Sequence, residues 1–189
     1  MTSVRLYILG ALAVEGPMHG HQLRLLAEKE HVHYWTDISV GSLYGVIKRL
    51  AAEGLITELR LEREGNYPER QVYEISPAGR EALAVLRLDA LSTVVFKPDP
   101  FDLAMSRLDP DSIDTVEATL HGRVADLEAM LAESEAQRAR ADQYLTANER
   151  FVLSHKSVRL RADIDWHKAL IFELPRIIAD ESARTKASS

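Results

Sequence analysis

Apolar residues recur at Leu6, Leu9, Leu12 and Ala13 inside Val4–Val14, a helical spacing that predicts a helix with one buried stripe. Glu15-Gly16-Pro17 ends it, because glycine and proline interrupt helices. The pattern resumes over His19–Glu30, with Leu23, Leu26 and Ala27 facing inward. A link containing Tyr34, Trp35 and Asp37 leads to a third helix over Ser39–Glu53, with Ser39 as N-cap and Gly54 as C-cap. The periodicity then changes. Leu55–Leu61 reads as a strand, and Gln71–Ile75 alternates polar and apolar as a second. Between them lies the charged turn Glu62-Arg63-Glu64-Gly65-Asn66-Tyr67-Pro68-Glu69. Ser76-Pro77 opens a fourth helix that runs to about Leu91, with serine as N-cap and proline in the first turn.

Lys97-Pro98-Asp99-Pro100 breaks the pattern, and beyond it the chain reads as helical. After a short element around Phe101–Leu108, Asp109-Pro110-Asp111 starts a long helix striped by Ile113, Val116, Leu120, Val124, Leu127 and Leu131. A second long helix carries Leu153, Leu160, Ile164, Ile171, Leu174 and Ile178 at nearly heptad spacing. Pro175 is expected to kink or shorten its end, and the tail from Ala183 to fray. Three helices followed by a hairpin give a winged helix. The expected fold is mostly α (α+β winged helix): a winged helix-turn-helix over residues 1–92 and a helical dimerisation domain over 99–182, the latter also a candidate for effector binding.

Composition narrows the class. Of 189 residues, 46% are apolar and none is cysteine, so a real core is available while disulfides and thiolate chemistry are excluded. No apolar stretch approaches the ~20 residues of a membrane span. Arg5, Leu6–Leu12 and Ala11-Leu12-Ala13 loosely imitate a secretory signal, but they read better as the first core helix, and a cytoplasmic location is expected. The net charge of −6 argues against nucleic acid until its distribution is considered. Residues 1–88 hold 10 Lys/Arg against 11 Asp/Glu, and residues 89–189 hold 13 against 18, so the acidity lies in the C-terminal half.

The third helix has two faces at 100° per residue. Leu43, Val46, Ile47 and Leu50 form a core face, opposite Gly41, Gly45, Lys48 and Ala52. Ser42 and Arg49 flank the outer face on one side and Tyr44 on the other. Small residues allow close approach to a groove; Lys48 and Arg49 can reach phosphates or base edges, and Ser42 and Tyr44 can donate to phosphates. The hairpin adds Arg60, Arg63 and Arg70, and its tip, with Gly65, Asn66 and Tyr67, can enter a minor groove. A solvated helix face and a mobile charged loop are the competing readings, the latter favoured by Glu62, Glu64 and Glu69.

His19-Gly20, Ser42-Leu43-Tyr44, Leu50-Ala51-Ala52-Glu53-Gly54-Leu55-Ile56 and Tyr73-Glu74-Ile75-Ser76-Pro77-Ala78-Gly79-Arg80 together resemble the PadR family of transcriptional regulators, over about residues 4–90. The helical second half resembles the C-terminal domain of the longer members. The resemblance implies a homodimer, usually a repressor, on a near-palindromic operator in double-stranded DNA. It implies dimerisation through the C-terminal helices, often joined by the N-terminal helix, and for some members release by a small aromatic or drug-like effector. By position, Ser42 and Tyr44 match the family's hydroxyl–Leu–Tyr element, and His21 stands where tyrosine often follows His-Gly. Arg63, Asn66 and Tyr67 fall in the wing. Two departures bear on individual contacts: Gly45 replaces a common proline after Tyr44, and Glu69-Arg70-Gln71-Val72 is less basic than the usual wing exit. The candidate DNA-binding set is therefore His21, Ser39, Ser42, Tyr44, Gly45, Lys48, Arg49, Arg63, Asn66, Tyr67 and Arg70.

Other constellations carry less. His19/His21 and His31/His33 are two His-x-His pairs, but i and i+2 on a helix point about 200° apart, and without cysteine no metal site is expected. Trp35, Phe96, Phe101, Trp166 and Phe172 could line an effector pocket between the halves, with polar contacts from His155 and Arg159, or simply fill core and dimer interface. No phosphate-binding glycine loop, nucleophile motif or zinc-protease motif is present, so neither an enzyme nor a cofactor is expected. The alternative to a DNA-binding regulator is a winged helix used as a protein-interaction module.

Overall fold

The computed structural model describes residues 2–32, 40–63, 65, 68–108 and 113–187. It divides into two compact units, Met1–Val95 and Phe96–Ser189.

The first unit runs α1 (Thr2–Glu15), β1 (Met18–His19), α2 (Gly20–Lys29), α3 (Val40–Ala52), β2 (Ile56–Glu62), β3 (Arg70–Ile75) and α4 (Pro77–Ser92). The strands form one antiparallel sheet in the order β1-β3-β2. Glu58 faces Tyr73 and Arg60 faces Val72, so Leu59 is an extra residue that bulges β2 and increases the wing's twist. β1 is absent from the sequence reading, because two residues give no measurable alternation. It pairs Met18 with Tyr73 and His19 with Val72.

Ile8, Leu9, Leu12, Leu23, Leu43, Leu50 and Ile56 are almost fully buried and form the centre of the core. In α1 the deepest positions are Ile8, Leu9 and Leu12, while Leu6 and Ala13 are only partly buried. The expected single stripe is thus shifted, because α1 packs against α3, α4 and β3 at once.

α3 ends at a left-handed glycine. Gly54 has φ +71°; its N–H donates to the Ala51 carbonyl (3.0 Å) and that of Leu55 to the Leu50 carbonyl (2.9 Å), which satisfies the helix's terminal acceptors. Ser76 ties the start of α4 to this turn. Its backbone N–H donates to the Leu55 carbonyl (3.1 Å) and its hydroxyl to the Gly54 carbonyl (2.7 Å), while the hydroxyl oxygen accepts from Gly79 N–H (3.0 Å). A Cβ at Gly79 would collide with the Leu55 carbonyl oxygen, so the Ser-Pro-x-Gly sequence is a close-approach motif. Arg5 on α1 grips Glu53 at the end of α3 through two bonds of 2.8 and 2.6 Å; the guanidinium's hydrogen bonds hold the Glu53 carboxyl below its ordinary range.

The second unit contains α5 (Pro100–Met105), α6 (Ile113–Ala141), a 3-10 turn (Asp142–Tyr144) and α7 (Ala147–Ala187). Cross-helix partners run in opposite orders, Ser134 with Ser157, Glu128 with Lys168 and Arg123 with His167, so α6 and α7 form an antiparallel hairpin. Leu120 and Val124 of the expected α6 stripe are buried, as are Leu160, Ile164 and Leu174 of α7. Pro175 neither ends nor shortens α7, which continues to Ala187 beyond the expected fraying point. Proline there removes one N–H from the ladder; with Leu174 buried and Ile177 and Ile178 half-buried, packing holds the helix across that gap. Among the described residues, no helix is long and apolar enough to cross a membrane.

Candidate nucleic-acid interface

α3 separates its residues as the periodicity requires. Leu43, Val46, Ile47 and Leu50 are no more than 3% exposed, while Gly45, Lys48, Arg49 and Ala52 are exposed on the opposite side. Ser42 is half-buried. Among the described residues, neither Lys48 nor Arg49 has an acidic partner within salt-bridge distance, so both cations face outward.

Tyr44 is 46% exposed, and its ring lies against the backbone at the start of α2. A Cβ built on Gly20 would sit 2.8 Å from Tyr44 Cε1 and 3.3 Å from Ile47 Cδ1. Glycine at position 20 is thus what lets α2 and α3 approach so closely. The start of α2 is set by His19, whose backbone is extended (φ −88°, ψ 162°). Its Nδ1 accepts from Gln22 N–H (3.0 Å), and Gln22 Oε1 accepts from His19 N–H (2.9 Å). Because His19 caps α2 instead of lying within it, the i, i+2 helical argument does not apply to the first pair: the His19 and His21 rings stack, with centroids 6.0 Å apart and planes 12° apart. Among the described residues, no group of three or more metal-ligating side chains is assembled.

Four of the predicted residues meet around one concavity. His21 from α2, Tyr44 and Lys48 from α3 and Arg70 from β3 line a hollow of about 210 Å³, together with Gly20, Ile47, Gln71 and Tyr73. Burial, followed by the charges of Arg70 and Arg24, holds the His21 pKa below the usual imidazole value. Sequence reasoning does not reach Gln71 and Tyr73. Gln71 Nε2 donates to the Arg60 and Val72 carbonyls at 3.0 Å each, bracing the wing strands. The signal that could have found them is the alternation of β3, which puts Gln71 and Tyr73 on one face. A second, more open hollow of about 700 Å³ runs between Lys48, Ala51 and Ala52 of α3 and Ile56, Thr57 and Glu58 of β2.

On the wing, Arg63 is exposed, whereas Arg60 is ion-paired with Glu62 on its own strand. Ser39, Asn66 and Tyr67, and Trp35 of the expected effector set, lie outside the described residues.

In the second unit Phe101 and Trp166 are brought together edge to face at 6.0 Å, with His167 5.0 Å from each ring. The Arg123 guanidinium lies 4.4 Å over the Phe101 ring, donates from Nε to His167 Nε2 (2.8 Å) and is ion-paired with Asp99. Phe96, Phe172 and His155 are exposed. α7 carries a second apolar face besides the one packed on α6. Phe151, Val152, Val158, Trp166 and Phe172 are all about half exposed or more, and 151, 158 and 172 recur at multiples of seven.

Residues 8–85 match the model of the transcriptional regulator PadR-like family. No curated protein matches the sequence. Among solved structures, the chain is similar to Bacillus subtilis PadR in complex with operator DNA, at 19% identity over 92% of this chain and 98% of that one, with a TM-score of 0.65. It is similar to Bacillus subtilis PadR in complex with p-coumaric acid (17% identity, 92% and 99% coverage, TM-score 0.66). A PadR-like transcriptional regulator from Bacillus cereus aligns at 21% identity over 92% and 98% of the two chains, with a TM-score of 0.59. At these identities the likeness is one of fold, and it extends through both units.

Proposed function

We propose that the chain is a PadR-like transcriptional regulator, the family whose model residues 8–85 match, and that it acts as a homodimer, binding double-stranded DNA through α3 and the wing and repressing transcription from a near-palindromic operator. The observation that carries this reading is the outer face of α3. Two cations without acidic partners among the described residues, two small residues and Tyr44 share one surface with His21 and Arg70. That is the composition of a face that enters a groove while neutralising phosphates. The capture of Bacillus subtilis PadR with operator DNA supports it.

The second apolar face of α7 supports the dimer. An exposed row of Phe151, Val158 and Phe172 is costly on a monomer and suits a second copy of the helix. A two-fold dimer would present two α3 helices to half-sites separated by about one helical turn or a multiple of it. The p-coumaric acid complex of Bacillus subtilis PadR supports release by a small aromatic effector. Such a ligand acts only if it binds one spacing of the reading heads better than the other. The assignments of residues 1–92 to DNA binding and 99–182 to dimerisation belong to the same proposal.

The test is a mobility-shift titration on DNA from upstream of the protein's own gene, at two salt concentrations and with scrambled competitor. A specific shift that weakens steeply with salt is expected. No shift there and no enrichment from a random-sequence pool would leave the winged helix as a protein-interaction module.

A further inference from the structure

The hollow between α2, α3 and β3 is a half-open notch lined by cationic side chains. His21, Lys48 and Arg70 approach it from three elements, and the hydroxyl-bearing rings of Tyr44 and Tyr73 complete its wall. Its volume of about 210 Å³ is several times the roughly 30 Å³ a liquid water occupies, room enough for a tetrahedral oxyanion. We propose that this notch seats one backbone phosphate of the bound duplex and that His21 takes up a proton as the phosphate enters, making DNA binding proton-linked. The proposal rests on the DNA-binding reading above and adds to it a specific ligand group and a regulation by pH.

The groups around His21 account for both halves of the inference. On its own helix, Arg24 Nη2 lies 3.4 Å from His21 Nδ1, and Arg24 is itself ion-paired with Glu28 at 2.5 Å. His19 stacks on the ring from the β1 turn. Arg70 faces it from β3, and Lys48 and Tyr44 from α3. Glu28 is the carboxylate whose charge raises the ring's proton affinity, and Arg24 already engages it. Partial burial among like charges lowers the imidazole's pKa and so favours its neutral form before binding. A phosphate placed among Lys48, Arg70 and His21 reverses the sign of the local potential. The imidazolium then becomes the favoured form and gives the phosphate a further charged N–H donor.

The experiment uses the full-length protein and a duplex enriched from a random-sequence pool by the protein itself. Fluorescence anisotropy gives Kd between about pH 6 and pH 8, the range in which histidine changes charge. Wild-type affinity should fall with rising pH, by at most about tenfold per pH unit for each protomer. His21→Gln should flatten that dependence, and His21→Lys should bind without it. The chemical shift of the His21 C2 proton, titrated with and without DNA, reads the linkage directly in the unaltered protein, so a variant that fails to fold does not decide the matter. A wild-type Kd independent of pH, an unchanged pH slope in His21→Gln, or an imidazole that titrates identically free and bound would each overturn the proposal while leaving DNA binding intact. Absence of binding to any duplex at any pH would instead sink the DNA-binding reading, and this inference with it.

Discussion

The Tyr44 ring rests on the bare backbone of Gly20, so the orientation of this outer-face residue of α3 is set by the first residue of α2. In Gly20→Ala the new methyl would lie 2.8 Å from Tyr44 Cε1, and the ring is the part free to move. Alanine also favours helix over glycine by up to about 1 kcal/mol, which offsets the strain. The expected outcome is a melting temperature within a few degrees of wild type, together with DNA affinity reduced about tenfold. Unchanged affinity would show that Tyr44 does not touch DNA.

Gly45 and Gly79 differ in what surrounds them, and their substitutions should separate binding from folding. Nothing lies within 4 Å of a Cβ at Gly45, on the exposed face of α3. Gly45→Ala should raise thermal stability by up to about 1 kcal/mol, yet weaken binding because the methyl stands between helix and groove. A Cβ at Gly79 would meet the Leu55 carbonyl oxygen, a backbone atom that cannot swing aside. Gly79→Ala should cost about 3 kcal/mol, seen as a lowered denaturation midpoint, with affinity reduced only through unfolding. If Gly45→Ala binds as wild type does, α3 does not approach the groove on that face.

Much of this arrangement is legible in the chain itself. The core and outer faces of α3 follow from a 3.6-residue repeat, and Gly54 and Ser76-Pro77 mark the end of α3 and the start of α4 as local chemistry requires. Other features are long-range. β1 is too short to show periodicity, and it exists because β3 offers Tyr73 and Val72 as partners. The closeness of Gly20 to Tyr44 and the meeting of His21 with Arg70 depend on tertiary packing, which spacing along the chain does not encode. Pro175 misleads because local propensity takes no account of the hairpin that holds α7 together. The capping role of His19 is readable from Gln22 three residues later once histidine is counted among N-caps.

Lys48 and Arg49 should act chiefly through charge. Removing one phosphate neutralisation lowers the magnitude of the slope of log K against log salt by about 0.9, so either Lys48→Ala or Arg49→Ala should reduce it by about two in a symmetric dimer. The fall in affinity should be similar across duplex sequences if the side chain meets phosphate, and confined to one position if it reads a base edge. Sedimentation should show the same assembly state in both variants as in wild type. Wild-type affinity and salt slope in both would remove α3 from the interface.

In the second unit Arg123 joins α5 to the hairpin, and its loss should be felt locally. His167 is 4% exposed; its Nδ1 lies 2.7 Å from the Asp163 carbonyl and its Nε2 accepts from Arg123, so the ring is held at both nitrogens. Arg123→Leu leaves Nε2 a buried acceptor without its donor, at a cost of about 1–3 kcal/mol. The same guanidinium and, more strongly, the Phe101 N–H hold the Asp99 carboxyl below its ordinary value. A depressed carboxyl stabilises the fold above the unfolded pKa, about 3.9, and that contribution is lost as pH falls through the lower folded value. α5 should therefore loosen in acid before the hairpin does. Trp166, edge-on to Phe101, reports this through its fluorescence in a Trp35→Phe background. Asp99→Asn keeps an oxygen to accept the Phe101 N–H but loses the charge, and should abolish the acid step in Trp166 emission. An acid step of unchanged midpoint in that variant would assign the transition to another carboxylate.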